Sequence, residues 1–189
     1  MTVRKKKETA QAKVIMHRVA DIRGGVSVVT SELTQDFLPE GAPLSLPDSN
    51  GKTHVVKYAL VKTTAAVNAT EISVYKDHNF KVGDIVFAAE RGNAYAITAI
   101  DTSNSGYDVI TVGTTLGAAL TADISYLFQA KTSGASVGAL KYEPAAINGT
   151  GQVIEANSNL ITDAWLMAVT KGNKIPSLIA NKLKGIINY

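Results

Sequence analysis

The feature that most constrains the fold is a pair of apolar segments separated by a run of turn-forming residues. Residues 94–100 and 107–112 are rich in apolar and β-branched side chains, as β-strands are. Every residue between them, in the run Asp101-Thr102-Ser103-Asn104-Ser105-Gly106, favours a turn, and Gly106 can supply a positive φ. The sequence therefore predicts a β-hairpin with a loop of moderate length.

Other segments of the chain carry the same type of signal. Val56, Tyr58 and Leu60 share one face of a strand, and Ile72 and Val74 share one face of another. Val, Ile, Thr, Ala and Gly are plentiful, and glycines punctuate the middle of the chain at the spacing of short strands joined by turns. We expect an all-β fold, a compact barrel or sandwich of about seven to nine short antiparallel strands.

The C-terminal part of the chain combines a long strand with one short helix. Residues 160–170 are apolar on both faces, which predicts a strand central in a sheet, with Trp165 and Met167 packed in the core rather than forming a ligand platform. Pro176 suits the first turn of a helix that Gly185 ends. A terminal strand follows, and its apolar character predicts that it docks.

The positive charge is concentrated at the N-terminus. Residues 1–23 hold seven Lys or Arg against two acids, while the rest of the chain holds twelve basic and fourteen acidic side chains. We expect three parts: a basic, extended arm over residues 1–25, a turn-rich lead-in over 26–52 and a β domain over 53–189. The arm has no aromatic residue, so a solvated or protein-anchoring arm is favoured over a nucleic-acid-binding one.

No catalytic constellation is found in the sequence, so we expect a non-enzymatic protein without cofactor or metal. Cysteine is absent, and the three histidines, His17, His54 and His78, are far apart, so each is expected to be a partly exposed polar residue. The acidic residues mostly stand at turns, and phosphate-binding, dinucleotide-binding and nucleophile-elbow motifs are missing. The apolar runs are too short for a membrane span and no signal peptide is recognisable, which predicts synthesis in the cytoplasm.

Several of these strand-and-turn segments resemble a known family, the head-fibre and capsid-decoration proteins of tailed phages, including those of Bacteroides-type and crAss-like phages. The resemblance covers about residues 40–189 and rests on hairpin and turn motifs. The segments that carry it are Phe80–Asp84, Ala94–Asn104, Tyr107–Gly117, Leu140–Pro144 and Leu183–Tyr189.

The resemblance implies an auxiliary capsid protein on the outer surface of the virion, made in the bacterial host and partnered by the major capsid protein. It implies a homo-oligomer, as a trimer or a dimer, and contact with other head-fibre proteins. An alternative is a host-attachment module that binds glycans through an exposed cluster of Tyr95, Tyr107 and Tyr126. Capsid anchoring is a hypothesis for the basic residues of the arm, namely Arg4, Lys5, Lys6, Lys7, Lys13, Arg18 and Arg23.

Overall fold

The all-β prediction is confirmed by a computed structural model that describes residues 13–155 and 158–189. Within those ranges there are more strands than predicted, because many are only two or three residues long. The sixteen strands and one helix are β1 (Ile15–Asp21), β2 (Val26–Val28), β3 (Phe37–Leu38), β4 (Pro43–Ser45), β5 (Lys52–Thr53), β6 (Tyr58–Leu60), β7 (Glu71–Val74), β8 (Ile85–Phe87), β9 (Ala94–Asp101), β10 (Asp108–Val112), β11 (Tyr126–Gln129), β12 (Pro144–Asn148), β13 (Gln152–Val153), β14 (Leu160–Thr162), β15 (Ala164–Thr170), α1 (Ser177–Ala180) and β16 (Ile186–Asn188).

A six-stranded antiparallel sheet in the order β6-β11-β8-β9-β10-β7 forms one half of the fold. Its two end strands meet through a single bridge between Val61 and Val74, with Lys62 N donating to Ser73 O at 2.8 Å. The sheet therefore curls around its own core but stops short of a fully paired barrel. The largest side chains of this first core are Phe80, Ile72, Ile97, Ile110 and Leu127.

The predicted hairpin is present as β9 and β10, and its loop is held by its own side chains. Asp101 Oδ1 accepts a hydrogen bond from Ser103 N at 2.9 Å, and Asn104 Oδ1 accepts one from Gly106 N at 2.9 Å. Short Asx turns of this kind explain why Asp and Asn stand at these positions.

A buried ion pair lies across one strand, β11, of the six-stranded sheet. Lys57, directly before β6, places Nζ 2.9 Å from Asp84 Oδ2, directly before β8, and the Lys57 side chain is only 1% exposed. Asp84 also accepts hydrogen bonds from Lys81 N at 3.0 Å and from Gln129 Nε2 at 2.8 Å. Because β11 lies between β6 and β8, the pair connects two strands that do not pair with each other.

A second sheet has β15 at its centre, which confirms the central position predicted for that segment. The order is β1-β15-β12-β4, all antiparallel, and β16 adds in parallel to β15. β12 pairs with Ala164 and Trp165, while β16 pairs with the segment 168–170, so the two strands share one edge of β15. The predicted strand over 160–170 is divided at Asp163, between β14 and β15.

Two further cores join the sheets into a sandwich-like body. One lies between the two large sheets and includes Phe87, Phe128 and Ile147 together with Ile179 of α1. The other lies where the second sheet meets the small sheets β14-β2-β5 and β13-β3, and Leu44 is fully buried there. These cores bring together side chains from distant parts of the described chain.

The described residues of the predicted arm and lead-in take part in the sheets and cores. Residues 15–21, assigned to the arm, form β1, which pairs with β15 and buries Ile15. The segment 26–52 contributes β2, β3, β4 and the start of β5, and its buried side chains belong to the core around Leu44. It does not lie across the surface. The physical reason is that the apolar residues of these segments complete cores that the segment 53–189 leaves open.

The C-terminal helix and strand are confirmed, with the helix shorter than predicted. α1 begins after Pro176, and Ile179 and Leu183 turn inward to the core between the large sheets. β16 then docks on β15 through its backbone, and Ala168 N donates to Gly185 O at 3.1 Å.

Candidate assembly surface

An exposed row of side chains crosses β1, β15 and β16. His17 is the register partner of Val169, and Val169 is the register partner of Ile187, so the three lie side by side. Because side chains alternate between the two faces of a strand, neighbours two positions away share this face. The β1–β15–β16 face, as we define it, comprises His17, Met167, Val169, Lys171, Ile187 and Tyr189.

This face leaves large apolar side chains in contact with solvent. Met167 is 48% exposed, and Ile187 and Tyr189 are each 65% exposed. Core packing was predicted for Met167, and that prediction is wrong, because the described chain covers only the opposite side of β15, where Ala168 and Thr170 are buried. Alternation of apolar residues along β15 was visible in the sequence, but it did not show which face would remain uncovered.

Two bulges lie in β1 at the edge of the face. The register shifts by one residue between Ile15 and His17 and again between Arg18 and Ala20, so Met16 and Val19 are the extra residues. Both are about half exposed. β-Bulges of this kind interrupt the ladder of an edge strand and hinder the addition of another strand.

Cationic groups flank the apolar residues. The Arg18 guanidinium lies 5.2 Å from the Trp165 ring centroid and donates to Gly149 O at 3.0 Å, while Lys171 Nζ lies 5.8 Å from the Tyr189 centroid. These are cation–π distances, which hold the charged heads against the aromatic rings.

Trp165 is fixed in place by a carboxylate. Its Nε1 donates to Asp163 Oδ2 at 2.8 Å, and Arg18 lies 3.9 Å from the same oxygen. Partial burial acts to raise the pKa of Asp163, but hydrogen bonds from Trp165 and Thr150 hold it below its ordinary value. Asp163 is therefore ionised at neutral pH and positions Trp165 and Arg18 at the margin of the face.

The structure places the predicted anchoring residues in two groups. Arg4, Lys5, Lys6 and Lys7 lie outside the described residues. Lys13 is exposed just before β1, Arg18 lies within β1, and Arg23 is exposed in the turn after it. These three are spread along the strand rather than gathered in one cluster, and Lys171 of the same face was missed by the sequence analysis.

The tyrosines proposed for glycan binding do not form one cluster. Tyr95 packs against the core of the six-stranded sheet, whereas Tyr126 packs against the core between the two large sheets. The ring centroids of Tyr126 and Tyr58 are 6.0 Å apart. Tyr142, a further aromatic candidate, stacks on His54 at 4.0 Å and is covered on another side by Lys141, whose Nζ lies 4.9 Å from its centroid.

His54 belongs to a polar cluster that holds the segment 31–52 onto the fold. Glu32 Oε2 lies 3.0 Å from His54 Nδ1, and the Tyr142 hydroxyl donates to Glu32 Oε1 at 2.7 Å. Burial acts to raise the pKa of Glu32, but the hydrogen bonds from Tyr142 and His54 lower it overall. Burial and the bond to Glu32 raise the pKa of Tyr142. The cluster serves to clamp the chain, because its polar groups bind one another.

His78 is buried rather than partly exposed as predicted. Phe80 N donates to its Nδ1 at 3.1 Å, so the ring proton is on Nε2, which lies 3.2 Å from Asp108 Oδ2 without making a well-aligned hydrogen bond. Lys76 Nζ binds the other oxygen of Asp108 at 2.5 Å. Burial lowers the pKa of His78 below 6.5, although Asp108 acts in the opposite direction.

This lowered pKa predicts a loss of stability in mild acid. The unfolded chain takes up a proton near pH 6.5 more readily than buried His78 does, so the free energy of unfolding should fall as pH decreases below about 6.5, by at most about 1.4 kcal/mol per pH unit. Urea unfolding between pH 7.5 and 5.5 measures this. The slope should be smaller in His78→Gln and unchanged in the control His17→Gln, because His17 is exposed. Equal slopes in wild type and His78→Gln would contradict the prediction.

Comparisons with protein-family models, with curated proteins and with solved structures find no match to this chain. Among the described side chains, no group of three or more His, Cys, Asp or Glu is arranged to hold a metal ion. In the same part of the chain, no helix is both long and apolar enough to cross a membrane.

Proposed function

We propose that the protein is a non-enzymatic structural component of a phage virion that decorates the outside of the capsid. The observation that carries the proposal is the exposed apolar and cationic β1–β15–β16 face, whose strand β1 follows the basic N-terminal segment in the sequence. Solvent-exposed apolar side chains grouped on one face are typical of protein–protein contacts. The resemblance of the segments 80–84, 94–104, 107–117, 140–144 and 183–189 to head-fibre and decoration proteins supports the same conclusion.

The proposed partner is the major capsid protein, with copies of the chain itself as a trimer or dimer, and other head-fibre proteins beyond them. A decoration protein needs only a complementary surface that capsid symmetry repeats many times. Modest affinity at each contact then becomes long-lived attachment through multivalency. The finished protein would lie on the outer capsid surface after synthesis in the host cytoplasm.

Deleting residues 1–12 tests the contribution of the basic segment. The fold should persist, because β1 begins at Ile15 and all described cores lie beyond the deletion. Binding to heads of the producing phage that lack this protein should weaken by roughly tenfold at low salt and by less at high salt, because exposed charges are screened. Co-sedimentation with heads measures binding, and circular dichroism checks the fold.

A matched variant separates charge from chain length. Replacing Arg4, Lys5, Lys6 and Lys7 with glutamine keeps the length and should reproduce the loss. Heads that bind the deleted and full-length proteins equally would contradict an anchoring role for the segment. Heads that bind neither would contradict capsid decoration, which electron cryomicroscopy of the producing phage would test independently.

A further inference from the structure

We infer that the β1–β15–β16 face binds a protein surface of the capsid shell that is apolar at its centre and acidic at its rim. The contact is made through side chains rather than by addition of a strand. The inference rests on the proposed function and names the chemistry of the partner and the mode of contact.

The apolar part of the face is contiguous. Val169 and Ile187 are register partners, Met167 lies two positions before Val169, and Tyr189 lies two positions after Ile187. Burial of such side chains is the main source of free energy in most protein association. A partner that covers this face must therefore present apolar groups at its centre.

The charge around the apolar residues selects an acidic partner. Lys171 lies on the face and Arg18 lies at its margin, while Lys13 is exposed before β1 and Lys184 is exposed before β16. Three carboxylates lie near them: Asp163 is engaged by Trp165 and Arg18, Glu40 Oε1 accepts a hydrogen bond from Ile15 N at 2.7 Å, and Asp21 lies at the far end of β1. The balance is positive, so acidic residues at the rim of a partner would be attracted and basic ones repelled.

The same charge argues against a second copy of this chain on the face. In a two-fold interface the same surface meets itself, so the cationic side chains of two copies would be brought together. Like charges opposed at an interface cost binding free energy and lower the association rate. Copies of the chain are therefore expected to associate elsewhere.

The mode of contact follows from the edge of the sheet. In the described chain, β1 and β16 each leave one side of the second sheet unpaired. The bulges at Met16 and Val19 break the regular spacing of the backbone groups of β1, and β16 is only 3 residues long. Strand addition requires several consecutive hydrogen bonds along such an edge. The partner is therefore expected to contact the side-chain face and leave the backbone edge unpaired.

Ile187→Asp tests the inference on heads that lack this protein. Ile187 is mostly exposed, so the variant should fold, and its binding should weaken by roughly tenfold or more, because an acid enters the apolar centre opposite acidic partner groups. Ile161→Asp is the matched control, since Ile161 is 74% exposed on β14, in another sheet, and its binding should be unchanged. Lys171→Glu should also weaken binding and reduce its salt dependence.

The outcomes separate the inference from the proposed function. If wild-type protein binds heads and Ile187→Asp binds equally well, the inference fails and capsid decoration stands. If wild-type protein does not bind heads, both fail. If Ile187→Asp binds heads normally but changes the sedimentation of the free protein, a second copy occupies the face and the acidic-partner inference is overturned. Unchanged or tighter binding by Lys171→Glu would overturn the charge component.

Discussion

Replacing Asp84 with asparagine is expected to remove about 3–5 kcal/mol from the free energy of unfolding at pH 7, because it leaves the ammonium of Lys57 buried without a countercharge. Lys57 has almost no contact with solvent, and burial lowers its pKa even with Asp84 beside it. Urea unfolding at pH 7 measures the loss. The deficit should shrink as pH rises toward 9.5, since the unfolded lysine holds its proton up to about pH 10.5 while the buried lysine becomes neutral sooner.

Lys57→Met is the matched control for this prediction. Asp84 would keep its hydrogen bonds from Lys81 N and Gln129 Nε2, and its side chain is 16% exposed, so the expected loss is about 1–2 kcal/mol. The double variant should lose less than the sum of the two single losses, because the charges form one interacting pair. If Asp84→Asn lowers the free energy of unfolding no more than Lys57→Met does, the buried ammonium of Lys57 does not depend on the countercharge of Asp84, and the prediction is contradicted.

Gly185→Ala is expected to displace β16 from β15 and to cost about 2–3 kcal/mol of stability, as overpacking at a rigid site does. A Cβ at Gly185 would lie 2.2 Å from Leu166 O and 2.9 Å from Met167 Cγ. A backbone carbonyl of a central strand cannot move away without breaking the strand pairs around it. Since Ile187 lies on β16 and Tyr189 directly follows it, the binding to heads that we propose should be lost together with stability.

Gly106→Ala provides the comparison, because Gly106 lies in the hairpin loop with its nearest neighbour 3.6 Å away. Its unfolding free energy should change by less than about 0.5 kcal/mol. Hydrogen exchange gives a local measurement: the Tyr189 amide, which donates to Thr170 O at 3.1 Å, should lose protection in Gly185→Ala alone. Unchanged protection and stability in that variant would mean that β16 tolerates the added methyl group.

The fold class was predictable because alternating apolar residues and turn-forming runs are local signals. The hairpin of β9 and β10 and the short helix before β16 were found in this way. β1 was missed because its two bulged residues, Met16 and Val19, break the period of two, and because the neighbouring lysines and arginines suggested an extended arm.

The candidate surface was less predictable, for a different physical reason. Sequence pattern shows that a strand has two apolar faces, but coverage of each face depends on distant parts of the chain. Met167 was therefore assigned to the core, although no described element covers it. Burial of Lys57 was equally hidden, since lysine is almost never fully buried unless a partner such as Asp84 lies nearby in the fold.

The pairing of β1 and β16 on β15 has a consequence for the order of events during biosynthesis. β1 is translated early, yet its partner begins only at Ala164, and the third strand of the surface ends at Asn188. Contacts so distant in sequence form late, since closing a long loop carries an entropic cost. A nascent or truncated chain without β16 therefore cannot display the β1–β15–β16 face, and under the proposed function capsids would recruit only molecules whose translation and folding have reached β16.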